Sequence, residues 1–190
     1  SLNITSTNRN VGGVAGEAKF VNGTYVLFNS SLISVSSTEV TFIGGLFGKI
    51  DGKFMYGTHG TAKHAYVKSL NLQVNKGINA FYNSTYGIGG AIGVLRIEND
   101  INLYEQAIKV EQLTMNVSAC HVGGVIGQLR GYNAYGQPKN IVVTGIAYLY
   151  NSQITATGIS QYVGGLIGLV DHQEAGYKTH ICGIDFTFFF

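Results

Sequence analysis

The chain has 190 residues, enough for one domain with a sizeable hydrophobic core, and 45% of them are apolar. Charged residues make up only 12%, about half the usual share, and the formal net charge is +2 with no run of basic residues. This balance argues against nucleic acid or an anionic membrane as a partner. No uninterrupted apolar stretch reaches the length that spans a bilayer.

Glycine is abundant, with 27 residues, whereas proline occurs once. Val, Ile, Thr, Tyr and Phe are plentiful, and β-branched and aromatic residues favour strands. The composition therefore predicts an all-β protein. No signal peptide opens the chain, and Ser1 begins directly in strand-like sequence, so we expect the full gene product to begin upstream of Ser1.

One six-residue glycine motif occurs five times, as a β-branched residue, two glycines, two apolar residues and a third glycine. Its copies, numbered motif 1 to motif 5, are residues 11–16, 43–48, 88–93, 122–127 and 163–168. Their first glycines lie at 12, 44, 89, 123 and 164, with spacings of 32, 45, 34 and 41 residues. Recurrence of this kind is typical of a repeat architecture.

A short alternating segment precedes each motif and predicts a strand with one buried and one solvated face. These segments are residues 2–5, 33–36, 78–81, 113–116 and 154–157. A second apolar segment lies further upstream in the later repeats, at residues 25–28, 70–74, 107–110 and 146–150, and again at 184–188. Asparagine-containing pairs follow three of these segments, at 29–30, 75–76 and 151–152, and predict sharp corners between strands.

The uneven spacing is expected to fall in variable loops after each motif. These loops are residues 17–23, 49–64, 96–105, 128–140 and 171–179. Insertions confined to one place in a repeat usually emerge on one side of a solenoid.

Apolar residues occupy both faces of a strand drawn through each motif, as with Leu166 between Val163 and Ile167. We therefore predict a strand buried on both sides, in which the glycines supply a bend or allow a neighbouring layer to approach closely. A valine at Gly124 or Gly165 is expected to harm folding more than a change to a loop histidine. The predicted structural glycines are Gly12, Gly13, Gly44, Gly45, Gly89, Gly90, Gly123, Gly124, Gly164 and Gly165.

A single repeat cannot bury its own apolar rows, but stacked repeats can pair like strands at a spacing of about 4.8 Å. The predicted fold is a single domain over residues 1–190, a parallel β-helix or β-solenoid of about five irregular repeats. A β-sandwich and a propeller are the rival architectures, although the shortest repeats have room for only three comfortable strands.

The motif Gly-Gly-Leu-Ile-Gly ending at Gly168, with its four variants, resembles the GLUG motif, a glycine-glycine-leucine-valine-glycine repeat. That motif occurs in bacterial surface proteins, some associated with IgA-peptidase-like proteins, and in surface repeat proteins of protists. Residues 150–158, followed by 162–165, look especially like one complete repeat of the family. The resemblance implies an extracellular repeat scaffold and supplies no catalytic residue.

Both ends of the chain fall within a repeat and are apolar, so they predict a stacking contact. The alignment places Ser1 at the position of Gln153 and Leu2 at that of Ile154, with no gap between one copy and the next. The chain is then either a segment of a longer repeat polypeptide or a subunit that stacks head to tail. The residues assigned to stacking are Leu2, Ile4, Phe186, Phe188 and Phe190.

Five Asn-X-Ser/Thr sequons favour a secreted glycoprotein of the extracellular space or cell surface, with N-linked glycans among its partners. Their acceptor residues are Asn3, Asn22, Asn29, Asn83 and Asn116. Two cysteines, Cys120 and Cys182, can form one bridge or remain as buried thiols.

Catalytic chemistry finds little support in the sequence. The polar cluster at 171–174, the histidines His59 and His64, and the pair Cys120 and His121 lack partners at the spacing that a metal or a nucleophile needs. Acidic residues are expected to lie in loops of different length instead of lining one face. These acidic residues are Glu17, Asp51, Glu98 and Asp171. We therefore predict no catalytic, cofactor-binding or metal-binding residue and no enzyme activity.

The sequence thus predicts a structural or adhesive protein that associates with itself head to tail in a surface filament or stalk. A carbohydrate-binding adhesin is the alternative, because rings such as Tyr132, Tyr135 and Tyr177 stack on sugars. A polysaccharide-degrading β-helix enzyme and an ice-binding protein with a polar ladder on its alternating strands are further alternatives. Phe81 is expected to interrupt that ladder.

Overall fold

A computed structural model of the chain describes residues 2–7, 10–22, 25–37, 42–55, 64–76, 87–97, 101–104, 108–118, 121–131, 137, 140–144, 148–157, 162–171 and 179–182. The regular elements among these residues are all β-strands, which confirms the all-β class. Within these ranges there is accordingly no helix of the length and apolarity that a membrane crossing requires.

The strands are short except for β4 and β7, which each run for 13 residues. In chain order they are β1 Asn3–Ser6, β2 Asn10–Gly12, β3 Ala15–Asn22, β4 Tyr25–Ser37, β5 Phe42–Gly44, β6 Phe47–Met55, β7 His64–Lys76, β8 Gly87–Gly89, β9 Ile92–Ile97, β10 Ile101–Tyr104, β11 Ile108–Glu111, β12 Thr114–Val117, β13 His121–Gly123, β14 Ile126–Arg130, β15 Ile141–Thr144, β16 Tyr148–Tyr150, β17 Gln153–Ala156, β18 Tyr162–Gly164, β19 Ile167–Asp171 and β20 Thr179–Cys182.

These strands form four parallel sheets in which neighbours follow one another in chain order. Sheet 1 contains β1, β4, β7, β11, β12, β16 and β17, sheet 2 contains β2, β5, β8, β13 and β18, sheet 3 contains β3, β6, β9, β14 and β19, and sheet 4 contains β10, β15 and β20. Because sheets 2 and 3 each take one strand from every glycine motif, each motif lies directly on the next. Parallel pairing of like strands, as predicted, is confirmed.

Each glycine motif forms a corner between two sheets. The chain bends at the second glycine and the residue after it, so β5 ends at Gly44 and β6 begins at Phe47. Ile43, Leu46 and Phe47 are all buried. The prediction of one strand with two buried faces is therefore wrong, because the bend lets apolar residues of both alternations contribute to one interior.

The register of sheet 1 differs from the predicted alignment. Ile33 pairs with Leu72, which pairs with Met115. The structure thus takes the third alternating strand from residues 72–75, whereas the predicted segment 78–81 lies outside the described residues. Relative to the predicted alignment with Ile33 and Ile154, the segments that begin at residues 2 and 113 are each shifted by two positions, so Ile4 and Met115 occupy this row. A period of two leaves such a shift invisible in the alternation of the sequence.

The corner within sheet 1 is formed by residues with left-handed backbone. Ser69, Gln112 and Asn151 have φ values of 56°, 53° and 48° and occupy equivalent positions in the register. The corner predicted at Asn151 is confirmed. Asn29 pairs with Lys68 and Ser31 with Leu70, so the corner predicted at residues 29–30 is in register with Ser69. Residues 75–76 instead lie at the end of β7, away from Ser69, so the corner predicted there is wrong.

Several stretches predicted as variable loops contain strands. Residues 17–22 belong to β3 and residues 49–55 to β6, and sheet 4 takes β10 from the predicted loop 96–105. The prediction of loops is wrong in these parts. Residues 141–144, Ile-Val-Val-Thr, are all β-branched and do not alternate with polar residues, so a pattern of period two does not mark them as a strand.

The interior is a continuous apolar cluster that runs through the stacked sheets. Equivalent positions carry one residue from each motif, and Ile43, Ile88 and Val122 are examples that are fully buried. Burial of such rows stabilises the fold by roughly 25 cal/mol for each Å² of apolar surface removed from water.

Candidate functional site: the two ends of the stacked sheets

The first glycine of every motif is required by the corner itself. A methyl group at Gly44 would lie within 3.0 Å of the carbonyl oxygen of Phe47, three residues later, and the other four motifs show the same relationship. Real Cβ atoms essentially never approach another heavy atom so closely. These five glycines therefore allow the chain to turn between sheets 2 and 3.

The second glycine allows the following motif to approach. A methyl group at Gly13 would collide with the carbonyl oxygen of Gly45, and a methyl group at Gly45 would collide with that of Gly90. Gly90 has the same relationship to Gly124. Close approach of a neighbouring backbone, one role predicted for the glycines, is thus confirmed at these positions.

Gly165, the second glycine of motif 5, faces open space. A methyl group at Gly165 would have no heavy atom within 4 Å. The expectation that a side chain at Gly165 harms folding is therefore not met by the contacts of this chain, because no motif follows motif 5 among the described residues.

Backbone hydrogen bonds between motifs run in one direction. Val14 donates to the carbonyl oxygen of Leu46 (2.9 Å), Leu46 donates to that of Ala91 (2.9 Å), and Val125 donates to that of Leu166 (3.0 Å). Each motif therefore donates through its amides to the next motif. Within the described ranges, motif 5 ends this series with amide donors and motif 1 begins it with carbonyl acceptors.

The exposed large apolar side chains of the described residues all lie at the two ends of the sheets. Val163 is 53% exposed, whereas Val122, its neighbour in sheet 2, is fully buried. Val14 is 51% exposed, whereas Leu46 is fully buried. The complete set is Leu2, Val14 and Leu27 at the N-terminal end and Tyr150, Tyr162 and Val163 at the C-terminal end.

A row of charged residues crosses sheet 3. The Lys49 ammonium contacts the carboxylates of Glu17 (2.9 Å) and Asp51 (3.3 Å), and Arg96 pairs with Asp51 through two hydrogen bonds. Burial alone raises the pKa of Asp51, but the hydrogen bond and charge of Arg96, with the charge of Lys49, lower that pKa below its usual value.

The acidic residues thus do not all lie in loops. Asp51 and Asp171 occupy one row of sheet 3, through Arg96 and Arg130, so the prediction that they fall in loops of different length is wrong. In this row the Asp51 carboxylate is paired with the Arg96 guanidinium group, and Asp51 and Asp171 are separated by two arginine positions.

The outer face of sheet 1 carries uncharged polar rows. Thr5, Ser34, Gln73, Asn116 and Thr155 are equivalent positions in neighbouring strands. The predicted polar ladder therefore exists, with Gln73 as its third member, and Phe81 lies outside the described residues.

Three of the sequon residues have exposed side chains, namely Asn3, Asn29 and Asn116. Asn22 lies in β3, and nothing is described of its side chain, while Asn83 lies outside the described residues.

The residues predicted to stack are divided between the described and the undescribed parts. Leu2 is exposed and Ile4 is half-buried at the N-terminal end. Phe186, Phe188 and Phe190 lie outside the described residues, as do Cys120 and the tyrosines at 132, 135 and 177. Register in sheet 1 places Asn3, not Ser1, in the row of Gln153, so the predicted joint between copies is wrong by two residues there.

The described residues among the other candidates for chemistry do not form a cluster. His121 is buried, and its ring lies 5.2 Å from that of Tyr162, in a packed environment. His59 and the segment 172–174 lie outside the described residues. Among the residues that are described, no three His, Cys, Asp or Glu side chains come together as ligands for a metal ion.

Comparison of the chain with family models, with curated proteins and with solved structures gives no match.

Proposed function

We propose that this chain is an extracellular structural protein, a parallel β-solenoid of about five irregular repeats that contributes to a surface filament or stalk by head-to-tail stacking. The parallel sheets, with neighbours in chain order, support a solenoid. The likeness of the glycine motif to GLUG repeats remains a prediction and agrees with a surface scaffold.

The complementary ends of the sheets are the observation that carries this proposal. Among the described residues, the C-terminal end presents amide donors at motif 5, the N-terminal end presents carbonyl acceptors at motif 1, and both ends expose apolar side chains. Unpaired strand edges of this kind favour pairing with another chain. Because the two ends differ, the contact is heterologous, and a heterologous contact that does not close into a ring extends into a filament.

Stacking would bury the apolar residues that the ends expose. Val163 and Val14 are each about half exposed, so covering them contributes about 1 kcal/mol apiece. Each backbone hydrogen bond formed across the contact adds about 1 kcal/mol net. The sum over several strands is enough to favour association at high local concentration.

The proposal places the protein outside the cell and assigns it no catalytic residue and no cofactor. Exposed acceptor side chains at Asn3, Asn29 and Asn116 support N-glycosylation, which is a modification of secreted proteins. The charged row of sheet 3 forms ion pairs within the sheet, which is a structural use of its carboxylates.

Assembly of the purified chain tests the proposal. We compare the wild type with Val163→Lys, which places a charge on the C-terminal end, and with Thr114→Lys, which places the same charge on the exposed outer face of β12, between β7 and β17. Sedimentation velocity gives the mass distribution over a concentration series, and electron microscopy gives the shape of the particles.

We expect filaments from the wild type and from Thr114→Lys, with strands spaced at about 4.8 Å along the axis, and monomers from Val163→Lys. A wild type that remains monomeric at every concentration would overturn stacking between copies. Equal assembly of both lysine variants would show that the ends are not the contact.

A further inference from the structure

We infer that the junction between two copies repeats the internal contact between glycine motifs in phase, with motif 5 of one copy seated on motif 1 of a second copy. This inference rests on the proposed function and names the register of the same contact. A second copy of this chain thus packs on the C-terminal end, and its motif 1 lies against Gly165.

The internal hydrogen bonds define the register of this junction. Within the chain, Gly13 donates to Gly45 (3.0 Å) and Val14 and Ala15 donate to the carbonyl oxygen of Leu46 (2.9 and 3.2 Å). In the junction, the amide of Gly165 donates to the carbonyl oxygen of Gly13 of the second copy. The amides of Leu166 and Ile167 likewise donate to the carbonyl oxygen of Val14 of that copy.

Gly165 is the residue that this junction accounts for. Second glycines in motifs 1 to 3 are needed because the carbonyl oxygen of the next motif occupies the space of a Cβ. At Gly165 none of the residues that the structure describes occupies that space, and the backbone there does not have the positive φ that favours glycine. A glycine without any local requirement therefore marks the place where a further motif packs.

Motif 1 has the matching surface. Its carbonyl groups at Gly13 and Val14 point away from motif 2, since the bonds to motif 2 are made by the amides. In phase, Val163 covers the position of Val11, and Leu166 covers the half-exposed Val14. The junction thus removes from water the two most exposed large apolar side chains of the described residues.

Charges at the two ends agree with the same register. Lys19 is exposed at the N-terminal end, and its carbonyl oxygen lies beside Gly52, next to Asp51 in sheet 3. Asp171 lies at the C-terminal end of the row that contains Asp51. In-phase stacking brings Asp171 towards Lys19 of the second copy, along the row that runs through Arg130, Arg96 and Asp51.

Two variants, each blocked at one end, test the register and the direction of the contact. Gly165→Val blocks the C-terminal end, where a Cβ has no heavy atom of the described residues within 4 Å, and Val14→Lys places a charge on the N-terminal end. Thr114→Lys is the control on the outer face. Thermal unfolding of each variant in dilute solution establishes that the subunit still folds.

We expect neither blocked variant to form filaments and each to raise the concentration needed for assembly at least about tenfold. An equimolar mixture of the two should form heterodimers and nothing longer, because only one C-terminal end and one N-terminal end remain competent. Gly165→Val added in small amount to the wild type should also shorten the filaments, since it can add at one end and then stops growth.

The outcomes separate this inference from the proposed function. Wild-type filaments together with normal assembly of Gly165→Val would overturn the in-phase junction and leave stacking intact. Homodimers of either blocked variant would show contacts between like ends and overturn the register. If the wild type stays monomeric and binds only a longer version of the same polypeptide, a second copy of this chain is not the partner. That result would overturn both this inference and the proposed function.

Discussion

The amide of Gly45 donates a hydrogen bond of 3.1 Å to the carbonyl oxygen of Gly90, and the same oxygen occupies the space that a side chain at Gly45 would need. One atom thus holds two neighbouring motifs together and excludes every residue except glycine. The same pairing of a bond with a steric requirement joins Gly13 to Gly45. The hydrogen bond that stabilises each of these contacts therefore also requires a glycine as its donor residue.

Gly45→Ala should therefore destabilise the fold by about 1–3 kcal/mol, the usual cost of forcing an extra methyl group into a packed interior. Gly165→Ala is the matched control, and its effect should remain within about 0.5 kcal/mol, because its side chain meets open space. Denaturant unfolding of the dilute monomer gives both free energies. Equal losses would contradict the assignment of the second glycine to contact with the next motif.

Register in sheet 1 gives a second prediction. Leu72 is fully buried, whereas Gln73 lies in the outer polar row. Leu72→Ala should lower the free energy of unfolding by about 2–5 kcal/mol, because it leaves a cavity in the apolar cluster. Gln73→Ala should change it by less than about 0.5 kcal/mol. The opposite order would show that this strand is shifted by one residue and presents its other face to the interior.

The sequence predicts the class of the fold because the glycine motif marks the phase of every repeat. The motif assigns equivalent positions to residues such as Ile43 and Ile88, which are 45 positions apart in the chain, and the structure pairs them. Strand register in sheet 1 could not be predicted, because alternation with a period of two is unchanged by a shift of two residues. Leu72 and Met115 occupy one row, although the sequence pattern assigns Leu72 to the second apolar segment, 70–74, and Met115 to the alternating segment, 113–116.

The candidate site could be predicted in part. The apolar ends of the sequence predict stacking that involves Leu2, whereas the pattern of the glycine motif predicts that Val14 and Val163 are buried in the interior. Their exposure comes from the place of motifs 1 and 5 at the two ends, since the same position is buried at Leu46 and Val122. The sequence carries this signal only in the order of the motifs. The direction of the backbone hydrogen bonds is a property of the folded chain and has no signal in residue type.

Low pH should weaken the charged row of sheet 3. The pKa of Asp51 is lowered in the folded state from its ordinary value of 3.8, so the unfolded chain binds a proton more readily. The stabilisation by Asp51 is therefore complete above pH 3.8 and is lost as the pH falls through the lower folded value. Asp51→Asn should cost about 1 kcal/mol at neutral pH.

The pH profile of unfolding checks this sign. The wild type and Asp51→Asn should differ at neutral pH and should approach one another as the pH falls from about 5 to about 2. Leu72→Ala provides a control whose difference from the wild type should stay constant over the same range. A difference that grows on acidification would contradict the lowered pKa of Asp51.

Glycosylation of the outer face of sheet 1 is a further prediction. Asn3 and Thr5 both have exposed side chains, so the sequon that they form is accessible. Protein made through a eukaryotic secretory pathway should carry a glycan at Asn3, measured as a loss of mass after enzymatic removal of N-glycans. Thr5→Ala should remove that glycan, whereas Thr5→Ser should keep it. Full retention of the glycan in Thr5→Ala would contradict the assignment.

The left-handed corner of sheet 1 gives the last prediction. Asn151 has a φ of 48° and an exposed side chain, and an asparagine adopts this backbone conformation more easily than a β-branched residue does. Asn151→Val should therefore destabilise the fold by about 1–2 kcal/mol, while Asn151→Gly should be tolerated, because glycine adopts positive φ without steric cost. Denaturant unfolding of both variants compares the two effects. Since Gln112 and Ser69 hold the same conformation in the neighbouring strands, Gln112→Val should show a loss of similar size, and tolerance of valine at both positions would contradict a conformational requirement at this corner.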